Sequence, residues 1–286
     1  LVVDQCLGAV DILGFGIVQH TPAKGYEIAS VKVKTGNDME TVTGFDKQSY
    51  TYAAQENVTA DITVTVETTK RSDLSYTVNY LEKDTNDVLH TAKTVENQTF
   101  GDTVKSADEI ITINGYNYDS ADKEKLTIGI DENVINLYYT KRTDLSYTVN
   151  YYWNGTTQTV ANSTTVNDQT FDTEVTVSPA QIEGYTPVSF AEKTIKIDAD
   201  NSKNVINFYY YKNVTLTAKS DTVTYNGKEQ TVTGYTAKDN KDNLVEGLTF
   251  TGVASPSVSA TDAGEYDVEF SGSVVGTYNE LYIVTA

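Results

Sequence analysis

TKRSDLSYTVNY, at residues 69–80, recurs as TKRTDLSYTVNY at residues 140–151, so that eleven of twelve residues match at an offset of 71. The match extends outward from there. Gln98-Thr99-Phe100 returns as Gln169-Thr170-Phe171, and Asn133-Val134-Ile135-Asn136 as Asn204-Val205-Ile206-Asn207. Gly115-Tyr116 returns as Gly184-Tyr185 at an offset of 69. The second copy thus drops two residues before the Gly-Tyr pair and regains two before Asn204. Length changes confined to loops, with strand-like anchors keeping their spacing, mark a repeated folded module.

The period divides the chain into four small modules, 1–71, 72–142, 143–212 and 213–286, of which the middle two are the near copies. A unit of that size has marginal stability on its own core, and contacts between neighbours contribute, as in quasi-linear arrays. Leu74, Tyr76, Val78 and Tyr80 alternate with polar residues, as do Leu145, Tyr147, Val149 and Tyr151, a period of two that predicts strands. The same pattern predicts strands around Ile62–Val66, Leu126–Ile130, Ile135–Tyr139, Ile195–Ile197 and Ile206–Tyr210. In the last quarter it predicts strands at Val223 and Tyr225, at Leu248 and Phe250, and from Tyr266 to Phe270. A short helix is expected from Asp102 to Ile110. The fold class is mainly β, a linear array of four small modules.

Composition agrees. Among 286 residues there are 43 Thr, 32 Val and 21 Tyr, types that fit a pleated, half-buried surface. Forty acidic residues against 21 basic ones give a net charge of −19. Such a chain repels phosphate backbones and anionic lipid surfaces, so neither nucleic acid nor membrane insertion is expected. Asp4 and Asp11 interrupt the apolar start, which lacks a basic leader region, and the chain reads as a piece of a longer polypeptide. Cys6 is the single cysteine and forms no internal disulfide.

Catalysis requires a nucleophile, a base and an orienting group within one module. His20 and His90 are the two histidines; they fall in different modules, and His90 matches Ala161 in the sister copy. Among forty carboxylates some pairs fall at glycosidase spacing by abundance alone. Residues 198–204, DADNSKN, have alternating oxygen donors, but Lys203 stands where a calcium loop turns on Gly, and Tyr209 where it closes with Glu. No enzyme, metal or cofactor is expected. The candidate ligand-binding residues are Trp153 and Tyr152, which replace Glu82 and Leu81 of the first copy. Sugar rings stack on exposed aromatic faces. The competing reading is that Trp153 packs against the neighbouring module or its own hairpin.

The two central units resemble the mucin-binding-protein (MucBP) repeats of Gram-positive cell-surface proteins. The resemblance rests on the opening YTVNY strand, QTFGDTV and its counterpart QTFDTEV, the Gly-Tyr pair, and the closing NVINLYY or NVINFYY. It implies two β-grasp-like modules, a small sheet crossed by a short helix or loop. The first quarter resembles the small β repeats of internalin-type surface proteins. The last, with TVTYNGKEQTVTGY and DAGEYDVEF, resembles Ig-like or glycine-rich β modules. The function implied is a non-catalytic stalk or adhesion segment, extracellular and attached to the cell wall. Its partners would be host glycoproteins or mucin-like glycans, and the segment would be monomeric and elongated. The alternative is an accessory or carbohydrate-binding region of a large secreted glycosidase or protease.

Overall fold

Alternating apolar residues leave one face of each strand to be buried, and in this chain they are buried in several small sheets rather than one. The computed structural model describes residues 2–4, 8–14, 17–53, 60–246, 255–271, 276–278 and 281–285. Cys6 and the strand expected at Leu248 and Phe250 lie outside the described residues. The chain separates into two compact units, Leu1–Lys141 and Arg142–Ala286.

In the first unit, the first quarter contains β1 (Val2–Asp4), β2 (Gly8–Gly14), β3 (Ile17–Pro22) and β4 (Tyr26–Thr35). It continues with β5 (Asp38–Val42), β6 (Tyr50–Ala53) and β7 (Ile62–Lys70). These form one sheet ordered β1-β7-β4-β5 and a second ordered β2-β3-β6. The first repeat contains β8 (Leu74–Glu82), β9 (Val88–Gln98), β10 (Thr103–Lys105), β11 (Tyr116–Ala121), β12 (Lys125–Thr127) and β13 (Val134–Lys141). Its sheet is ordered β11-β13-β8-β9, with β8 and β13 parallel at the centre and antiparallel strands on either side. The segment between β9 and β11 crosses the sheet. It holds β10, which pairs with β12 from the connection between β11 and β13, and, where a helix was expected, a single 3-10 turn at Ser106–Glu109. A hydrogen bond from Tyr76 Oη (2.7 Å) and an ion pair with Lys93 Nζ (2.6 Å) hold the buried Glu109 carboxylate at that turn, so the backbone closes there.

In the second unit, the second repeat contains β14 (Leu145–Trp153), β15 (Thr164–Gln169), β16 (Glu174–Val177), β17 (Tyr185–Pro187), β18 (Lys193–Lys196) and β19 (Val205–Ala218). The last quarter adds β20 (Gln230–Thr233), β21 (Tyr235–Asp239), β22 (Ser257–Ala260), β23 (Gly276–Tyr278) and β24 (Tyr282–Thr285). Here β14 and β19 form the parallel centre, flanked by β15 and β17, and β16 pairs with β18 over the sheet. β19 does not end where the period places a division, at Lys212–Asn213. It runs on for 14 residues in all, pairing with β14 over Val205–Tyr210, then with β24 over Lys212–Thr215 and β21 over Val214–Ala218. The third and fourth quarters therefore share a strand rather than a linker.

Each quarter has its own buried cluster. In the first it is Ile28, Val31, Ile62, Val64 and Val66. The first repeat gathers Leu74, Tyr76, Val78, Tyr80, Leu126, Ile128, Ile135, Leu137 and Tyr139, and the second Val149, Tyr151, Ile206, Phe208 and Tyr210. The last quarter has Val214, Leu216, Ala237 and Val284. A fully buried side chain of this size contributes about 1.5–3 kcal/mol, so clusters of four to nine give modest stability.

Polar groups fix the register in both repeats in the same way. Asn133 is buried, and its Nδ2 donates to Ser75 O (3.0 Å) and Gly129 O (2.9 Å) while its Oδ1 accepts from Gly129 N (2.7 Å). Asn204 repeats all three bonds, with Ser146 O (3.1 Å), Asp198 O (2.9 Å) and Asp198 N (2.8 Å). Tyr139 Oη bonds the backbone of Ile111, and Tyr210 Oη donates to Ala180 O (2.9 Å), pinning the crossing segment onto the sheet. Burial pushes the Tyr210 phenol up to about 12, so it stays a neutral donor.

A second shared device is the Gly-Tyr pair. Gly25, Gly115 and Gly184 have φ of 85°, 81° and 78°, and the following tyrosine opens a strand opposite the last lysine of the closing one. The registers are Tyr26 with Lys70, Tyr116 with Lys141 and Tyr185 with Lys212. The first quarter also pairs β1 parallel to its closing strand, as the repeats do. Its sheet thus follows the repeats' plan although its sequence differs.

Lys212 has a further role. Its Nζ lies 2.9 Å from Oδ2 of Asp239, a buried carboxylate that also accepts from Lys241 N (2.9 Å), Asn243 N (3.0 Å) and Asn243 Nδ2 (3.2 Å). The Lys212 ammonium holds this carboxyl well below the usual range, outweighing desolvation, with the Asn243 and backbone donors assisting.

Two outcomes follow for stability. Asn133→Leu leaves three partly buried backbone groups, Ser75 O, Gly129 O and Gly129 N, without this partner and costs about 2 kcal/mol, measurable by urea denaturation. Because the Asp239 carboxyl titrates lower folded than unfolded, its contribution is complete above about pH 4 and is lost as pH falls through the folded value. Asp239→Ala costs about 3 kcal/mol at pH 7 by leaving the partly buried Lys212 ammonium without its counter-ion, and the deficit shrinks in thermal scans taken progressively below pH 4.

Candidate functional site

Residue parity in a strand decides which side chains meet the core and which remain outside. In the second repeat, Val149 and Tyr151 of β14 and Ile206, Phe208 and Tyr210 of β19 point inward. Thr148, Asn150 and Tyr152 of β14 therefore share the opposite face with Val205, Asn207 and Tyr209 of β19, matched in that order by the parallel register.

Three layers stand on this face. Thr148 Oγ1 lies 3.3 Å from Thr165 Oγ1 of β15. Asn150 Nδ2 donates to Asn207 Oδ1 at 2.9 Å. Tyr152 and Tyr209 lie with ring centroids 6.0 Å apart and planes inclined by 31°. Lys193 of β18 closes one side, its Nζ donating to Asn207 O (2.6 Å) and lying 5.8 Å from the Tyr209 ring centroid. Beside β18, a cavity of about 430 Å³ opens along β19, lined by Lys193, Ile195, Val205, Ile206, Asn207 and Tyr209 and by no residue of β14. Phe190, 67% exposed, precedes β18. Two aromatic faces, a carboxamide pair, hydroxyls and one ammonium are the groups that recognise a sugar: apolar C–H faces stack on rings, and hydroxyls hydrogen-bond amides.

The first repeat lacks this combination. Leu81 stands in place of Tyr152, so Tyr138 has no aromatic partner across the strand pair. Asp122 binds the Asn136 backbone N (3.0 Å) and Nδ2 (3.2 Å), whereas the matching residue of the second repeat is Ala191. The Asn79–Asn136 pair is retained at 2.9 Å, but its outer amide is occupied by Asp122.

Tyr152 and Trp153, the two residues singled out in the sequence, are not brought together. As neighbours in one strand they point to opposite sides. Trp153 Nε1 donates to Leu281 O (2.8 Å), and its ring meets Tyr282 edge-on at 5.5 Å and 74°. Leu281 O also accepts from Lys212 N (2.9 Å). Trp153 thus ties the second repeat to the last quarter. Parity alone could have separated the two, and the repeated NVIN-YY anchor could have set Tyr209 beside Tyr152. Lys193 and Phe190 carried no comparable signal, because they sit in the segment of altered length.

The remaining candidates are engaged elsewhere. Asp198 Oδ1 accepts from Asp200 N (2.8 Å), Asp200 Oδ1 from Ser202 N (3.0 Å) and Oγ (2.7 Å), and Asn201 Oδ1 from Ser146 N (3.0 Å). These oxygens face local backbone and hydroxyl donors rather than a common centre, and no metal-binding group of three or more His, Cys, Asp or Glu occurs among the described residues. His20 is buried on β3, while His90 is exposed on β9, with Nδ1 2.9 Å from Thr91 O. No helix among the described residues is long and apolar enough to cross a membrane.

No family model matches the chain, and no curated protein matches it. Among solved structures it is similar to a structure described as Mub-RV, at 15% identity and a TM-score of 0.20, covering 49% of this chain and 98% of that one. The type 2 repeat of the mucus binding protein MUB from Lactobacillus reuteri aligns at 12% identity and a TM-score of 0.20, over 49% of this chain and 99% of that one. The TIE protein of Bacillus anthracis aligns at 11% identity and a TM-score of 0.32, over 94% of this chain and 70% of that one.

Trp153→Phe removes the bond to Leu281 while keeping a ring against Tyr282, so it costs about 1 kcal/mol in denaturant melts. Because Trp153 is the single tryptophan, its emission in the wild-type chain reports the opening of this junction directly.

Proposed function

We propose that this chain is a non-catalytic adhesion segment of a bacterial cell-surface protein, extracellular and wall-attached, and that its second repeat binds glycans on the open face of β14 and β19. The observation that carries this reading is the Tyr152–Tyr209 pair beside the Asn150–Asn207 carboxamides, a polar-aromatic surface that the sister repeat does not reproduce. The sequence resemblance to MucBP repeats supports the same reading and suggests mucin-type oligosaccharides as ligands. One such face gives weak affinity, which a longer protein carrying several copies would multiply by avidity.

The non-catalytic part of the proposal rests on electrostatics. General acids and bases are recognised by values moved toward neutrality. The carboxylates buried among the described residues, Glu109 and Asp239, move the other way. Burial would raise the Glu109 carboxyl, but the Lys93 ammonium and Tyr76 hydroxyl outweigh it and leave the carboxyl below its ordinary range. Asp239 is likewise held ionised by Lys212. Both behave as structural anions. The Tyr76 hydroxyl, pushed up to about 12 by burial and by its bond to Glu109, stays protonated.

A mucin-glycan array followed by calorimetric titration tests the proposal. Tyr152→Leu, which installs the first repeat's residue, weakens binding about tenfold or more, equivalent to about 1.4 kcal/mol. Trp153→Phe leaves the affinity unchanged. Full affinity in Tyr152→Leu would remove the face from consideration.

A further inference from the structure

In the last quarter, two segments that alternate like strands are not strands. Residues 219–226 and 265–270 run without a turn or bend, yet neither joins a sheet. Among the described residues, no backbone–backbone hydrogen bond engages residues 220–229 or 261–270 outside the β20–β22 ladder. In the first segment Thr222 N donates to Asp221 Oδ1 (2.8 Å) and Thr224 O accepts from Gln230 Nε2 (2.6 Å). Among the described residues the main-chain groups of the alternate positions, Asp221, Val223 and Tyr225, have no partner, which is the condition of an open sheet edge.

Between these segments lies a groove of about 500 Å³. Its floor is the Val232–Val258 pair of β20 and β22. Val223 and Tyr225 from one wall, and Tyr266 and Val268 from the other, line it at alternate positions. Tyr225 is 64% exposed, and Val223 and Tyr266 are each 47% exposed. Large apolar groups gathered on an otherwise acidic surface mark a place where something docks. The ionisable residues lining the groove, apart from its tyrosines, are Asp221, Asp262 and Glu265, with no lysine or arginine among the described lining residues.

We infer that this groove receives an extended basic peptide strand from another protein, which pairs with the main chain of Asp221, Val223 and Tyr225 and sets cationic side chains against Asp221, Asp262 and Glu265. Strand addition derives its affinity from main-chain hydrogen bonds and its specificity from alternate side-chain positions. Both are prepared here: the walls alternate with period two, the peptide groups of Asp221, Val223 and Tyr225 are unused among the described residues, and the rim has one sign of charge. Tyrosine faces add attraction for lysine or arginine side chains. The site is separate from the glycan face of the second repeat and does not depend on that reading.

The experiment uses the whole chain with a ten-residue peptide of alternating lysine and valine, against a control of alternating glutamate and valine. The lysine peptide binds, slows amide hydrogen exchange at residues 221–225, and loses affinity about tenfold or more on moving from low to high salt. The triple variant Asp221→Asn, Asp262→Asn, Glu265→Gln weakens it about tenfold. Val223→Pro deletes a main-chain donor that nothing in the free protein uses, so it weakens the peptide while leaving the melting temperature unchanged. The inference is overturned if both peptides bind alike, if the slowed amides lie elsewhere, or if the triple variant binds as the wild type does. It is equally overturned if a neutral oligosaccharide such as N-acetyllactosamine, and not the peptide, protects the groove.

Discussion

A carboxamide buried at the mouth of the closing strand, Asn133 in one repeat and Asn204 in the other, joins the opening strand to the loop before it through three hydrogen bonds. Parallel strands have no hairpin to set their register. The asparagine supplies what the missing turn would have supplied. Once it is seated, the backbone N–H of Thr77 or Thr148 bonds its carbonyl at 2.8 Å, and each later pair of the ladder follows. Register in turn fixes parity, and a slip of one residue would turn every core side chain outward. The pairing of Tyr152 with Tyr209, and hence the proposed glycan face, is a distant consequence of where one amide is buried.

The lysine opposite each Gly-Tyr pair shows how a repeated position acquires separate duties. Lys70, Lys141 and Lys212 all stand opposite the tyrosine of a Gly-Tyr pair. Lys212 alone lies inside a strand that continues, and its ammonium reaches forward to Asp239. Burying that carboxylate is tolerable only because the cation and three further donors surround it.

Much of this was legible in the residues before any coordinates. The duplicated TVNY and NVIN anchors announced two copies of one module, and alternation placed most strands correctly, because a half-buried sheet imposes a period of two. Four features were hidden for physical reasons. The plan shared by the first quarter is a matter of backbone register around Gly25, which glycine's positive φ permits in many contexts. The continuity of β19 depends on partners β21 and β24, which come from residues 17 and more positions away. The failed strand at Val223 and Tyr225 has the right pattern, but pattern reports only which face is apolar, not whether an edge is available. The expected helix shrank to one 3-10 turn because Glu109 was needed beneath Lys93.

The parallel arrangement of opening and closing strands has a bearing on how a repeat carries load. The chain enters β8 or β14 at one end of the sheet and leaves β13 or the first part of β19 at the other, running in the same direction. Tension between entry and exit would pull these neighbours lengthwise past one another, so their cross-links would share the strain together and not peel away in succession. In the second repeat the exit is not a free tether but the continuing strand itself, and traction would pass along an unbroken backbone into the last quarter.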